Sequence, residues 1–194
     1  MTQTQPAWNR NTRLLHWGMA ITVTFQLFSS LFMADQGTQY LFNYHEIIGV
    51  LAAFVVVLFW IYAFAFYELP ILFPWNKEGM TAAWSELKGL FRGKLPPAGR
   101  RVGLSSLVHG LGLLALSGNV YTGLFIFYLV PPGHHAAGSD AMAFTHYSLE
   151  HKFFGELLWV YWIGHVAFAL LHQFAGDRVL GGIFGFSRSP ADES

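Results

Sequence analysis

Ile47–Tyr67 reads IIGVLAAFVVVLFWIYAFAFY, and none of these residues carries a charge. A helix needs about 20 apolar residues to cross roughly 30 Å of hydrocarbon, and this run supplies them. Lipid offers the backbone no hydrogen-bond partners, so the run must be helical. Working outward, comparable runs occupy Leu14–Ala34, lie within Val102–Val130 and fill Leu157–Gly176. The predicted fold class is all-α, an integral membrane four-helix bundle. Composition agrees: of 194 residues, 54% are hydrophobic and 11% charged, with a mean hydropathy of +0.39, whereas soluble domains carry about a quarter charged residues. Eleven basic residues balance eleven acidic ones, so no positive field invites nucleic acid. The chain has no cysteine. Disulfides, thiolate-bound zinc, iron–sulfur clusters and covalently attached haem are thereby excluded.

The flanks of the runs set the expected orientation. Arg10 and Arg13 precede the first span; Lys77, Lys88, Arg92, Lys94, Arg100 and Arg101 separate the second from the third; Arg178 and Arg188 follow the fourth. Only Lys152 falls on the opposite side. Such a bias places the basic loops and both termini in the cytoplasm. The first run is too long for a signal-peptide core, and no small-residue cleavage site follows near Met33–Asp35. Between spans two and three, Met80, Trp84, Leu87 and Phe91 recur at helical spacing, which predicts a short amphipathic helix in the cytoplasmic interface. Asp35–Tyr44 and Pro131–Leu149 are the expected outside loops. One transmembrane domain over 1–186 and a tail over 187–194 complete the organisation. No long internal repeat is visible, only the echo of His45-x-x-x-Gly49 in His151-x-x-x-Gly155.

Nine histidines in so apolar a chain pose a geometric question. A lone intramembrane histidine is most simply a polar residue satisfied by a neighbouring helix, yet ionisable groups in a membrane are costly and mark function by default. His151 and His165 are 14 residues apart, about 21 Å along a helix and within roughly 40° of one face. His45 and His151 both open helices that start outside, so they are expected at one depth. His16 lies near the inside start of span one, and a count of 14 residues from it reaches Ser30, level with the outer pair. His16 and His165 then share an inner depth. Two facing pairs stacked across a membrane suit two non-covalent b-type haems, each iron taking two axial imidazoles. Gly49 and Gly155, one turn from His45 and His151, would give a porphyrin clearance, although small residues also serve ordinary helix packing. A mononuclear metal is the poorer use: there is no thiolate, and the carboxylates that flank the outer pair, Glu46 and Glu150, sit at the water interface.

These motifs resemble a known superfamily. Arg13-Leu-Leu-His16-Trp17, His45-Glu-Ile-Ile-Gly49 and His151-x13-His165 are similar to those of the di-haem cytochrome b subunits of nickel–iron hydrogenases and formate dehydrogenases, and of bacterial cytochrome b561 proteins. The likeness extends from about Asn9 to Gly185. The inside loop from Pro74-Trp75 to Pro96-Pro97 is closer to the first type, and Leu171-His172-Gln173 to Asp177-Arg178 closer to the second. The resemblance implies an outer haem on His45 and His151, an inner haem on His16 and His165, and quinone near the inner haem. It also implies a bacterial inner-membrane location and, for the hydrogenase and dehydrogenase type, an iron–sulfur or catalytic subunit docked on the outer face.

The leading expectation is an electron-transfer subunit of a quinone-linked oxidoreductase, with self-association left open. The alternative is a stand-alone enzyme passing electrons between quinone and a small oxidant such as superoxide, drawn in by Lys152, His134, His135 and His146. A mere anchor would not account for histidines on paired levels. His109 falls near the inner level and is expected to support that haem, with an axial role as the alternative. His172, about 10 Å inward of His165 and within roughly 20° of its face, makes a candidate quinone site with Gln173 and Asp177. An interfacial histidine bonding a head group or a propionate is the competing reading. Arg13 is expected to neutralise a propionate or orient quinone.

Overall fold

The computed structural model describes residues 10–35, 37–66, 69–98, 102–130, 139–177 and 179–184. The tail 187–194, His134, His135, Arg100, Arg101, Arg178 and Arg188 lie outside the described residues. Seven helices follow in order: α1 (Arg10–Phe32), α2 (Tyr40–Ala65), α3 (Leu69–Leu72), α4 (Lys77–Leu90), α5 (Leu104–Leu129), α6 (Ser139–Phe174) and α7 (Val179–Phe184). Four of them, α1, α2, α5 and α6, are long and apolar enough to cross a membrane. The chain is a multi-pass membrane protein. Its surface confirms the inside-out pattern that lipid demands, for Phe54, Ile61, Phe64, Leu149 and Val160 are all exposed.

Two hairpins build the bundle. α1 packs on α2, α5 packs on α6, and α2 joins the halves by packing on α5. Their shared core is Leu27, Val56, Ala115, Leu116 and Leu158, ringed by Met19, Val23, Trp60, Val120, Trp159 and Trp162. The two indole N–H groups cross the seam reciprocally: Trp60 donates to Ser117 at 2.9 Å and Trp162 to Thr24 at 3.0 Å. A repeat hidden from the sequence underlies this exchange. His109, Ser117, Asn119 and Thr122 on α5 each stand 93 positions after His16, Thr24, Gln26 and Ser29 on α1. The two hairpins thus repeat one polar pattern in their first helices.

The fourth span corrects the sequence reading. α6 begins at Ser139, not Leu157, so the expected loop Pro131–Leu149 is helical from 139 onward and His151 lies well inside the helix rather than at its opening. Lys152 and Glu156 looked like a boundary, but they are four residues apart, fall on one exposed stripe and let the helix continue beneath them. Its 36 residues span about 54 Å, so α6 extends well beyond a hydrocarbon core. α2 likewise starts earlier, at Tyr40.

The interfacial helix exists and is α4. Asn76 caps it, its side chain accepting from the Gly79 N–H at 2.7 Å. Gly79 and Ala83 form the side turned to the protein, while Met80, Trp84 and the following Phe91 are exposed. Glu86 ties α4 to α5, its carboxylate accepting from the Leu104 N–H at 2.9 Å. α3 is seated against α5 at Gly110, where any side chain would meet the Leu72 carbonyl oxygen.

Candidate functional site

The hairpins bring the predicted histidines into two levels. In the outer level His45 of α2 faces His151 of α6, ring centroids 6.3 Å apart and planes at 80°. In the inner level His16 of α1 faces His165 of α6 at 6.2 Å and 47°. Leu158 of the core lies seven residues from both His151 and His165, which separates the levels by apolar packing.

These distances test whether one iron fits each pair. A metal–imidazole bond is about 2.0–2.1 Å long. With the ring centroid roughly 1.1 Å behind the nitrogen, two opposed imidazoles on one metal have centroids roughly 6.3 Å apart. Both pairs meet that spacing. At the inner level the His16 Nδ1 is buried without a hydrogen-bond partner among the described residues. No group of three or more histidine, cysteine, aspartate or glutamate side chains suited to a bare metal ion occurs among the described residues. Paired neutral imidazoles on facing helices are a haem donor set.

The model of the family described as prokaryotic cytochrome b561 matches residues 7–186. The chain belongs to the prokaryotic cytochrome b561 family. No curated protein and no solved structure matches it significantly. Membership implies a membrane cytochrome carrying b-type haem and transferring electrons across the bilayer, in the context of oxidoreductase cytochrome b subunits.

The remaining candidates of this b561-family chain fall in three places. Gly49 and Gly155 stand one turn below His45 and His151. A Cβ at Gly49 would come within 2.8 Å of the Gln26 amide nitrogen, whereas at Gly155 the nearest atom, on Asn119, is 3.8 Å away. His109 joins the inner level: its Nδ1–H donates to the Ser105 carbonyl at 2.5 Å, and its ring lies 5.1 Å from His165 at 85°. Tyr161 stacks on His165, centroids 5.5 Å apart, and also meets His109 edge-on at 6.2 Å. Arg13 sits three residues before His16 on α1, near the start of that helix.

His172, Gln173 and Asp177 come together through the end of α6. Gly176 takes φ +94°, and the N–H groups of Asp177 and Gly176 return to the carbonyls of His172 at 3.0 Å and Gln173 at 3.2 Å. This is a Schellman turn, which needs glycine at the left-handed position. It brings the His172 Nδ1–H within 2.7 Å of the Asp177 carboxylate. The Gln173 side-chain oxygen accepts from the Leu180 N–H at 3.3 Å and so holds α7. Trp17 fixes the other end of α7, donating to the Ile183 carbonyl at 3.3 Å and packing against Phe184 with ring centroids 4.8 Å apart and planes tilted by 46°.

Sequence reasoning passed over four polar side chains. Gln26 and Asn119 donate their amide N–H to the carbonyls of His45 and His151 at 2.8 and 2.9 Å. Ser29 and Thr122 place hydroxyl oxygens 3.0 and 3.1 Å from the Nδ1 atoms of the same histidines. The available signal was an amide followed three residues later by a hydroxyl, in two spans at equal distance from His16 and His109.

Proposed function

We propose that this chain is a di-haem membrane cytochrome that conducts electrons between an oxidoreductase partner on its outer face and the quinone pool. The observation that carries the reading is the pair of imidazole pairs, each at the spacing one iron needs and stacked along one bundle. His45 and His151 hold the outer haem, His16 and His165 the inner one. Haem supplies a one-electron Fe(III)/Fe(II) couple at each level. The protein supplies ligands, burial and polar tuning. Gly49 and Gly155 thin the helices beside the outer ring pair, and Arg13 neutralises an inner propionate. Residues 1–186 form one functional domain, with both termini in the cytoplasm of a bacterial cell and α4 in the inner interface.

Quinone is assigned to the cytoplasmic end of α6. His172 keeps Nε2 for the substrate because Asp177 takes the hydrogen of Nδ1. A histidine–carboxylate pair beside water suits delivery of the protons that quinone reduction consumes. Gln173, whose side-chain oxygen orders α7, belongs to the same candidate quinone site. A partner is expected on the outer surface, where the exposed end of α6 rises beyond the bilayer. His146, one of the groups invoked for attraction of a diffusible anion, is paired with Glu150 at 3.2 Å.

Purified full-length protein should carry two b-type haems per chain with bis-imidazole spectra. His172→Ala should retain both and slow quinone-dependent reoxidation at least about tenfold, as loss of a proton relay does. Pure protein with one haem or none would overturn the di-haem assignment. Unchanged quinone kinetics would move the quinone site. Superoxide turnover by the isolated chain would favour a stand-alone enzyme.

A further inference from the structure

The hydroxyl groups beside the outer histidines have their own hydrogens committed elsewhere. Thr122 donates to the Gly118 and Asn119 carbonyls at 2.9 and 3.0 Å, and Ser29 donates to the Gln26 carbonyl at 3.2 Å. A hydroxyl has one hydrogen and two lone pairs. The Asn119 carbonyl 3.0 Å from the His151 Nδ1 can only accept, so that nitrogen carries the ring hydrogen and Thr122 is an acceptor toward it; the matching clamp assigns the same tautomer to His45, with Ser29 as its acceptor. Their Nε2 lone pairs stay free. The amide bonds from Gln26 and Asn119 to the histidine carbonyls fix the backbone from which each ring hangs.

The two halves of this duplicated clamp are unequal. The His151 Nδ1–H has a second acceptor, the Asn119 carbonyl at 3.0 Å, alongside Thr122. For His45, the acceptor given by the described residues is Ser29. An acceptor on the outer ring hydrogen makes an imidazole more basic at the nitrogen that binds metal. A more electron-rich ligand favours ferric over ferrous iron and lowers the reduction potential.

We infer that Ser29 and Thr122 are positioning residues that set the tautomers of His45 and His151, with Ser29 carrying the larger share of the tuning of the outer couple. The inference rests on the reading of these histidines as haem ligands. Neither hydroxyl touches the metal or a substrate; each acts through the imidazole it holds. Removal of the Ser29 oxygen strands one buried N–H and weakens its ring as a donor. Removal of the Thr122 oxygen leaves the Asn119 carbonyl in place.

The test is an optical redox titration of the purified full-length holoprotein, with low-temperature electron paramagnetic resonance on the oxidised form. The His45→Ala variant identifies the outer signals by their loss. Ser29→Ala should raise the outer potential, changing the ferric-to-ferrous ratio at fixed ambient potential by up to about tenfold, or about 59 mV for one electron. Thr122→Val should move the same couple less, by about twofold. Ser29→Thr keeps the hydroxyl and should restore the wild-type value, and the inner couple should stay put throughout. Should Ser29→Ala fail to hold the outer haem, Ser29→Cys, with its weak sulfur acceptor, must show the upward shift. Two intact haems with no shift in Ser29→Ala, or a shift in Thr122→Val as large as in Ser29→Ala, would overturn the inference. Wild-type protein without bis-imidazole signals would instead remove the ligand reading beneath it.

Discussion

His16 and His109 occupy equivalent places in the two hairpins, and only one of them stands at the spacing an axial pair requires. His109 is 5.1 Å from His165, too close for an iron between opposed rings. His16 is 6.2 Å from His165, the spacing of two imidazoles on one iron. Replacement of His16 or His165 by alanine should therefore abolish the inner haem and leave the outer one, while His45→Ala or His151→Ala should do the reverse. One lost ligand leaves an open iron in a dry site, so the expected result is loss of the haem and not retuning. His109→Ala should retain both haems. Haem-to-protein ratio and the low-temperature spectrum of each purified variant check all five. Loss of the inner haem from His109→Ala would make that residue the ligand. These five rings were legible in the sequence because charge is scarce in a membrane and a histidine there stands out. The hydroxyl and amide groups that hold two of them were not, since serine, threonine, asparagine and glutamine in a span read equally well as helix–helix contacts.

At the scale of elements, boundaries were the weak point and faces the strong one. Charged residues on an exposed stripe of α6 looked like a loop edge because a hydropathy window averages over all faces of a helix, whereas solvent meets only one. α4 was legible because its apolar residues recur with the helical period, but that period gives a stripe and not its neighbour. The stripe of Met80 and Trp84 faces outward, and the small residues Gly79 and Ala83 meet the protein. α3 and its seat were invisible in sequence, for nothing in four residues announces that the Leu72 carbonyl closes on Gly110. That contact yields a stability prediction. Gly110→Ala should cost about 1–3 kcal/mol, as overpacking does when the obstructing atom is backbone, and should dislodge α3 from α5. Gly89→Ala near the end of α4 is the contrast, because its new methyl group would meet only Lys94 at 3.8 Å. A gain of about 0.5–1 kcal/mol is expected there from helix propensity. Thermal unfolding of both variants in detergent, followed by haem absorbance, should give shifts of opposite sign.

Across the whole molecule, the two-hairpin repeat explains why a depth count from the sequence brought the right rings together even with a misplaced helix start. Depth along a helix is fixed by residue number, about 1.5 Å each, so His151 and His165 keep their separation wherever α6 begins. The partner level is then set by the other hairpin, which places His45 across from His151 as equivalent residues of the two halves. Orientation in the membrane is a separate property, carried by charge. Ten of the eleven lysines and arginines fall in the first turn of α1, between α2 and α5, and after α6, with Lys152 the exception. In a bacterial membrane those segments are retained on the cytoplasmic side, because translocating a basic loop near a span is unfavourable. Both ends of the chain should therefore face the cytoplasm, with His172 and α4 at the inner surface and the long outer end of α6 beyond the membrane. A cysteine introduced singly into this cysteine-free chain reports its side directly. In intact cells a membrane-impermeant maleimide should label Met142→Cys, exposed on the outer end of α6, and should leave Ser85→Cys on α4 unlabelled until the membrane is opened. The opposite pattern would invert the bundle and carry the quinone assignment at His172 to the other face.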